Sequence, residues 1–181
     1  MTTLEVLIDP TGAAERGSDT TLSPRPGTLA GLRVGLLDNT KPNATTLLEA
    51  LGEALRRRHG VGAVTMYTKD YFGTPVQDEL RDEIVRECDV VVTAVGDCGS
   101  CSAATVQDGI IFERHGLPAV SIVSDSFLLS GQAMASLQGF PGYDFLAARH
   151  PIASLSANEL AGRADELMAG VERILGAEVT A

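Results

Sequence analysis

Residues 89–95 read DVVVTAV and run directly into GDCGSC at 96–101. The run is apolar at successive positions rather than at alternate ones, so a strand built from it turns apolar side chains to both faces. Such a strand is stable only when both faces are covered, which is the situation of a strand inside a parallel sheet between two helical layers.

The rest of the chain alternates as that architecture requires. VGLL at 34–37 predicts a buried strand, followed by DNTKPN and a helix whose Ala44, Leu47, Leu48, Leu51 and Leu55 share one face. Asn43 is its expected N-cap, Arg56 to Arg58 suit its C-terminal dipole, and Gly60 is its stop. Val61 to Met66 predict a second strand, and Thr74 with Pro75 the start of a second helix with Asp78 and Glu79 in its first turn and Leu80 and Ile84 facing inward. After the third strand, Asp89 to Val95, comes a helix with Ala103, Val106 and Ile110 on one stripe, ending at Gly116, and then a fourth strand at Pro118 to Val123. Residues 124–154 show no clear period. Ser156 and Glu159 form a capping box for a last helix with Leu160, Ala164, Leu167, Val171 and Ile174 on its core face.

This pattern predicts an α/β fold, a three-layer domain with a mostly parallel, doubly wound sheet of about four to five strands. It should occupy residues 31–181 as a single domain. Residues 1–30 are expected as an extended N-terminal arm, rich in Gly, Pro, Ser and Thr, with Leu4 to Ile8 able to form a short strand.

With 24 acidic against 14 basic residues, the net charge of -10 opposes binding to nucleic acid or to an anionic membrane surface. The start MTTLEVLIDPTG has neither a basic nor a long apolar signal region, and no apolar run reaches the ~20 residues of a membrane span. A cytoplasmic protein is expected. No Walker or dinucleotide glycine fingerprint is present, so no phosphate-bearing cofactor is indicated.

Two of the three cysteines, Cys98 and Cys101, stand in the turn between the third strand and its helix. In open parallel sheets ligands bind beyond the carboxyl ends of the strands, so this loop and DNTKPN should open onto the same edge. Three roles suit the pair. A helix N-terminus stabilises a thiolate, letting Cys98 attack and Cys101 resolve the product as a disulfide, with Gly99 easing the turn. A zinc half-site needs two further ligands, and the chain has no second CxxC and no paired histidines at finger spacing. A purely structural pair of small buried residues is the third. Asp97 either opposes the thiolate or relays its proton. Cys88 reads as core. Thioredoxin fits poorly, because here three strand-helix units precede the motif and no aromatic residue precedes Cys98.

DNTKPNA, VVVTAVGDCGSCS and ERHGLPAV together resemble the family named for a UGSC motif, in which selenocysteine-Gly-Ser-Cys stands where Cys98, Gly99, Ser100 and Cys101 stand here. The likeness spans roughly residues 30–155. A more distant likeness reaches the substrate-reducing selenoprotein subunits of glycine and proline reductases, through CGSC, HGLPAV and RHPIAS. The resemblance implies that Cys98 is the nucleophile and Cys101 its partner, with sulfur in place of selenium.

Around that pair, Asp38, Asn39, Thr40, Lys41 and Asn43 gather at the expected ligand edge and could hold a small carboxylate or amide, Lys41 being the cationic anchor. Turn and capping chemistry accounts for several of them equally well. Asp97 and Ser100 join them as substrate contacts, and His150, before Pro151, is the expected general acid or base. Ser124, Asp125 and Ser126 share the same edge. The expected function is a thiol-dependent, redox enzyme acting on a small polar metabolite, supplied by a thiol or protein electron donor and working as a homo- or hetero-oligomer. Non-redox addition, elimination or isomerisation through Cys98, and service as a subunit of a larger enzyme, are the alternatives.

Overall fold

The computed structural model describes residues 20–177. The expected strand at Leu4 to Ile8 and most of the arm lie outside them. Five strands, β1 (Arg33–Asp38), β2 (Ala63–Thr68), β3 (Val90–Gly96), β4 (Ala119–Ser124) and β5 (Leu146–Ala148), form one sheet in the order β2-β1-β3-β4-β5. Every neighbouring pair is parallel. The helices are α1 (Ala44–His59), α2 (Asp78–Glu87), α3 (Gly99–Arg114), α4 (Leu128–Leu137) and α5 (Ala157–Leu175).

Alternation along each strand sends neighbours to opposite layers. Leu36, Val90, Val92 and Ile122 pack with α1 and α5, while Leu37, Val91 and Ala119 pack against Ile84 of α2 and Phe112 of α3. β3 is buried at every position, as its unbroken apolar run requires. On α1, Leu47, Leu48, Leu51 and Leu55 are fully buried, each contributing about 2 kcal/mol relative to exposure. The helix ends at Gly60 in the left-handed conformation, φ 61°. The capping box of Ser156 and Glu159 opens α5 as expected.

Three local expectations are corrected. Asn43 occupies the N-cap position of α1 but its side chain caps nothing. α2 begins at Asp78, not at Thr74, because the Val76 N–H is drawn to a carboxylate on α3 instead of starting a helix. The aperiodic segment contains α4 and β5. α4, LLSGQAMASL, is apolar on nearly all sides and carries no helical stripe, and β5 is too short to show alternation.

Part of the arm is described, at residues 20–30, which form neither helix nor strand. It is docked all the same: the Ser23 N–H donates to Glu113 at 2.7 Å, Arg25 pairs with the same carboxylate at 2.9 Å, and Leu29 enters the core.

Strand order reverses between β1 and β3, since β2 lies on one side of β1 and β3 on the other. The chain leaves β1 for α1 on one layer and leaves β3 for α3 on the other. The loops after these two strands therefore border the crevice in which such sheets bind ligands. Among the described residues, no helix is long and apolar enough to cross a membrane.

Candidate thiol site at the switch point

Cys98 is the N-cap of α3, and the Cys101 N–H donates to its sulfur at 3.2 Å. Their Cα atoms are 5.2 Å apart and the two sulfurs are joined as a disulfide. Cys98 is half-buried, Cys101 fully buried, and Ser100 Oγ lies 3.6 Å from Cys98 Sγ. The site thus sits on free N–H groups and the positive end of a 16-residue helix, which favour a thiolate once the bond opens. Glycine is demanded at position 96 rather than at 99. A β-carbon on Gly96 would lie 2.6 Å from Ser102 Cα, while one on Gly99 would meet only Ser130 Oγ, at 3.7 Å.

His150 comes against Asp97, the residue that precedes Cys98 in the chain. His150 Nδ1 is 3.0 Å from Asp97 Oδ1 and 3.2 Å from Ser124 Oγ, and the Phe127 ring meets the imidazole edge-on at 5.6 Å. Burial pushes the Asp97 carboxyl up, but the Ala153 N–H, the Ser124 hydroxyl, the Ile152 N–H and the His150 charge outweigh it and hold the group below the usual aspartate range. His150 and Pro151 are joined by a cis peptide bond.

The first loop divides its labour differently from the sequence expectation. Asn39 is fully buried and spends its amide on Val95, with a further contact to Thr105. Asp38 accepts from the Thr40 N–H and from the Thr45 hydroxyl, and Thr40 bonds back to the Asn39 carbonyl. Asn43 reaches across to the carbonyls of Ile152 and Leu155, at 2.9 and 2.8 Å. These four residues build the rim. Lys41 alone of the group keeps its charged end off the backbone, 4.1 Å from the centre of the Phe72 ring.

Sequence reasoning missed the support beneath the rim. Lys69 and Asp108, both closed to solvent, form an ion pair at 2.5 Å. Asp108 also accepts from the Val76 N–H, so one carboxylate pins both ends of the loop that carries Phe72. Burial pushes Asp108 up to about 6 against the pull of Lys69 and Val76. No spacing in the chain links residues 69 and 108. Cys88, as expected, is core, and burial raises its thiol.

Compared with known protein families, the chain matches the UGSC family over residues 6–177, and it belongs to that family. No curated protein matches it.

Proposed function

We propose that this UGSC-family protein is a thiol-dependent oxidoreductase for a small polar metabolite, with Cys98 as nucleophile, Cys101 as resolving thiol and His150 as acid-base group. The observation that carries the reading is the pairing of Cys98 with Cys101 at the N-terminus of α3, on the ligand edge of the sheet. From the dithiol form, the Cys98 thiolate attacks the substrate and expels a leaving group, which takes a proton. Cys101 then attacks Cys98 Sγ, and the bond electrons leave with the substrate fragment, which is protonated. Two electrons and two protons pass from the dithiol to the substrate, and a thiol reductant reopens the disulfide. Lys41 and Ser100 are the groups left to contact the substrate, Lys41 as the anchor for an anionic end.

A steady-state assay of two variants, with and without added dithiol, tests the reading. Cys98→Ser should lose activity, and Cys101→Ser should stop after one turnover with an adduct on Cys98. Many turnovers by Cys101→Ser without reductant would mean non-redox chemistry. Full activity of Cys98→Ser would end the thiol assignment and leave the subunit alternative.

A further inference from the structure

The ring nitrogen that His150 leaves free is set by its neighbours. Nδ1 faces Asp97 Oδ1 and Ser124 Oγ, while among the described residues Nε2 has no hydrogen-bond partner. The Asp97 side chain is 4% exposed, against 38% for His150, so the carboxylate stays behind and the ring reaches solvent. Asp97 Oδ2 accepts from the backbone N–H groups of Ile152, at 3.2 Å, and Ala153, at 2.9 Å, in the same loop that carries His150. An ionised carboxylate accepts hydrogen bonds and donates none, so the hydrogen between the two side chains belongs to Nδ1. Which nitrogen carries the proton in a neutral imidazole follows from the bond the other makes.

We propose that Asp97 is a positioning residue of the Cys98 site: by holding His150 as the Nδ1–H tautomer, it leaves Nε2 as the proton acceptor for the Cys98 thiol. The Cys98 S–H bond breaks, its electron pair stays on sulfur, the proton goes to Nε2, and the resulting imidazolium keeps Nδ1–H on Asp97. The proposal deepens the thiol assignment above and rests on it for the identity of the nucleophile. It also changes what Asp97 does, from a substrate contact to a group acting through the ring. The charged groups facing His150 are Asp97 and, across the His150 backbone N–H, Asp125 at 3.1 Å. Arg149, next in the chain, turns to Glu166 instead.

The test uses the reduced full-length protein and needs no substrate. Long-range nitrogen-proton NMR above neutral pH reports each histidine's tautomer, with His150 identified by its loss in His150→Gln. The expected result is Nδ1–H in the wild type and Nε2–H in Asp97→Asn, whose amide would donate to Nδ1, with the signals of His59 and His115 unmoved. Iodoacetamide labelling of Cys98 near pH 7 should slow at least about tenfold in Asp97→Asn and in His150→Gln, and the double variant should be no slower than His150→Gln alone. Ser124→Ala should keep the wild-type tautomer; a flip there would hand the positioning role to Ser124 and overturn the proposal. A wild-type His150 protonated on Nε2 overturns it whether or not Asp97→Asn folds, and so does faster labelling in Asp97→Asn, which would make Asp97 a plain opposing charge. The Nε2–H tautomer beside a reactive Cys98 ends this proposal alone, whereas the Nδ1–H tautomer beside an inert Cys98 ends the thiol assignment and the role of Nε2 with it.

Discussion

Asn39 holds Val95 by both atoms of its amide: Nδ2 donates to the Val95 carbonyl at 2.9 Å, and Oδ1 accepts from the Val95 N–H at 3.0 Å. The two loops that border the crevice are thereby fastened to each other three residues before Cys98. Asn39→Asp changes one atom and turns the donor into an acceptor facing a carbonyl. The expected loss is about 3 kcal/mol at pH 7 in a denaturant titration, from one broken buried bond and one repulsion. The loss should shrink in acid, where a protonated carboxyl can donate again. An unchanged midpoint at pH 7 would mean that the loops are held together elsewhere.

Lys69→Met removes the cation from a buried pair without opening a large cavity. The Asp108 carboxyl, raised to about 6 in the fold, contributes stability that is present below the ordinary aspartate range and is lost as pH rises through about 6. Lys69 limits that loss. The variant should therefore be less stable by about 3 kcal/mol at pH 7.5, and the penalty should be smaller at pH 5, where Asp108 is largely neutral. Urea denaturation at the two pH values reads the difference, and an equal penalty at both would show that Lys69 acts through packing alone.

The layered sheet was legible because each helix with a single partner layer keeps an apolar stripe, as α1 and α5 do, and because β3, covered on both faces, carries no polar residue except Thr93. The placement of Cys98 at a helix N-terminus followed from the same alternation. What stayed hidden depends on pairings distant in the chain. Asn43 was read by its local neighbours as a cap, but its partners lie more than a hundred residues away, at Ile152 and Leu155. Asp108 looks like a surface residue in sequence and is buried with Lys69 and the Val76 N–H as its partners. α4 escaped because it buries only Gly131 and Ala135, while Leu129 and Leu137 stand on its exposed side, so no apolar stripe marks the inner face.

The reduced protein should show a clear order of thiol reactivity. Cys98 is half-buried at a helix N-terminus, whereas Cys88 is buried, hydrogen-bonded to Tyr67 and raised by desolvation. Mass-mapped alkylation near pH 7 should modify Cys98 at least about tenfold faster than Cys88, because thiolate fraction and access together set the rate. Cys88 reacting first would contradict the placement of both residues.

Glu113→Gln tests how the described part of the arm is held. The native carboxylate accepts from the Ser23 and Ala119 N–H groups and pairs with Arg25, all at the amino end of the sheet. The amide keeps the shape but loses the charge and replaces one acceptor with a donor. Thermolysin should then cut faster between residues 20 and 30, while Cys98 labelling at the opposite edge stays as in the wild type. A change in Cys98 labelling would show that the two edges are coupled.

The loop bearing His150 is held from two sides, and the two holds can be separated. From β3, Asp97 takes the Ile152 and Ala153 N–H groups; from the first loop, Asn43 donates to the Ile152 and Leu155 carbonyls. Asn43 has φ 69°, a conformation asparagine tolerates better than alanine, so Asn43→Ala would mix backbone strain with the loss of both bonds. Asn43→Gly removes the amide and leaves the backbone at ease. In that variant the Ile152 and Ala153 amides should exchange with deuterium faster, by at least about tenfold for the loss of two hydrogen bonds, each worth about 1 kcal/mol net, to a locally opening segment. Asp97 still holds the loop, so His150 should keep its tautomer while its position loosens. If exchange at Ile152 and Ala153 is unchanged in the glycine variant, Asp97 alone fixes the loop, and the contribution of Asn43 is confined to residue 155.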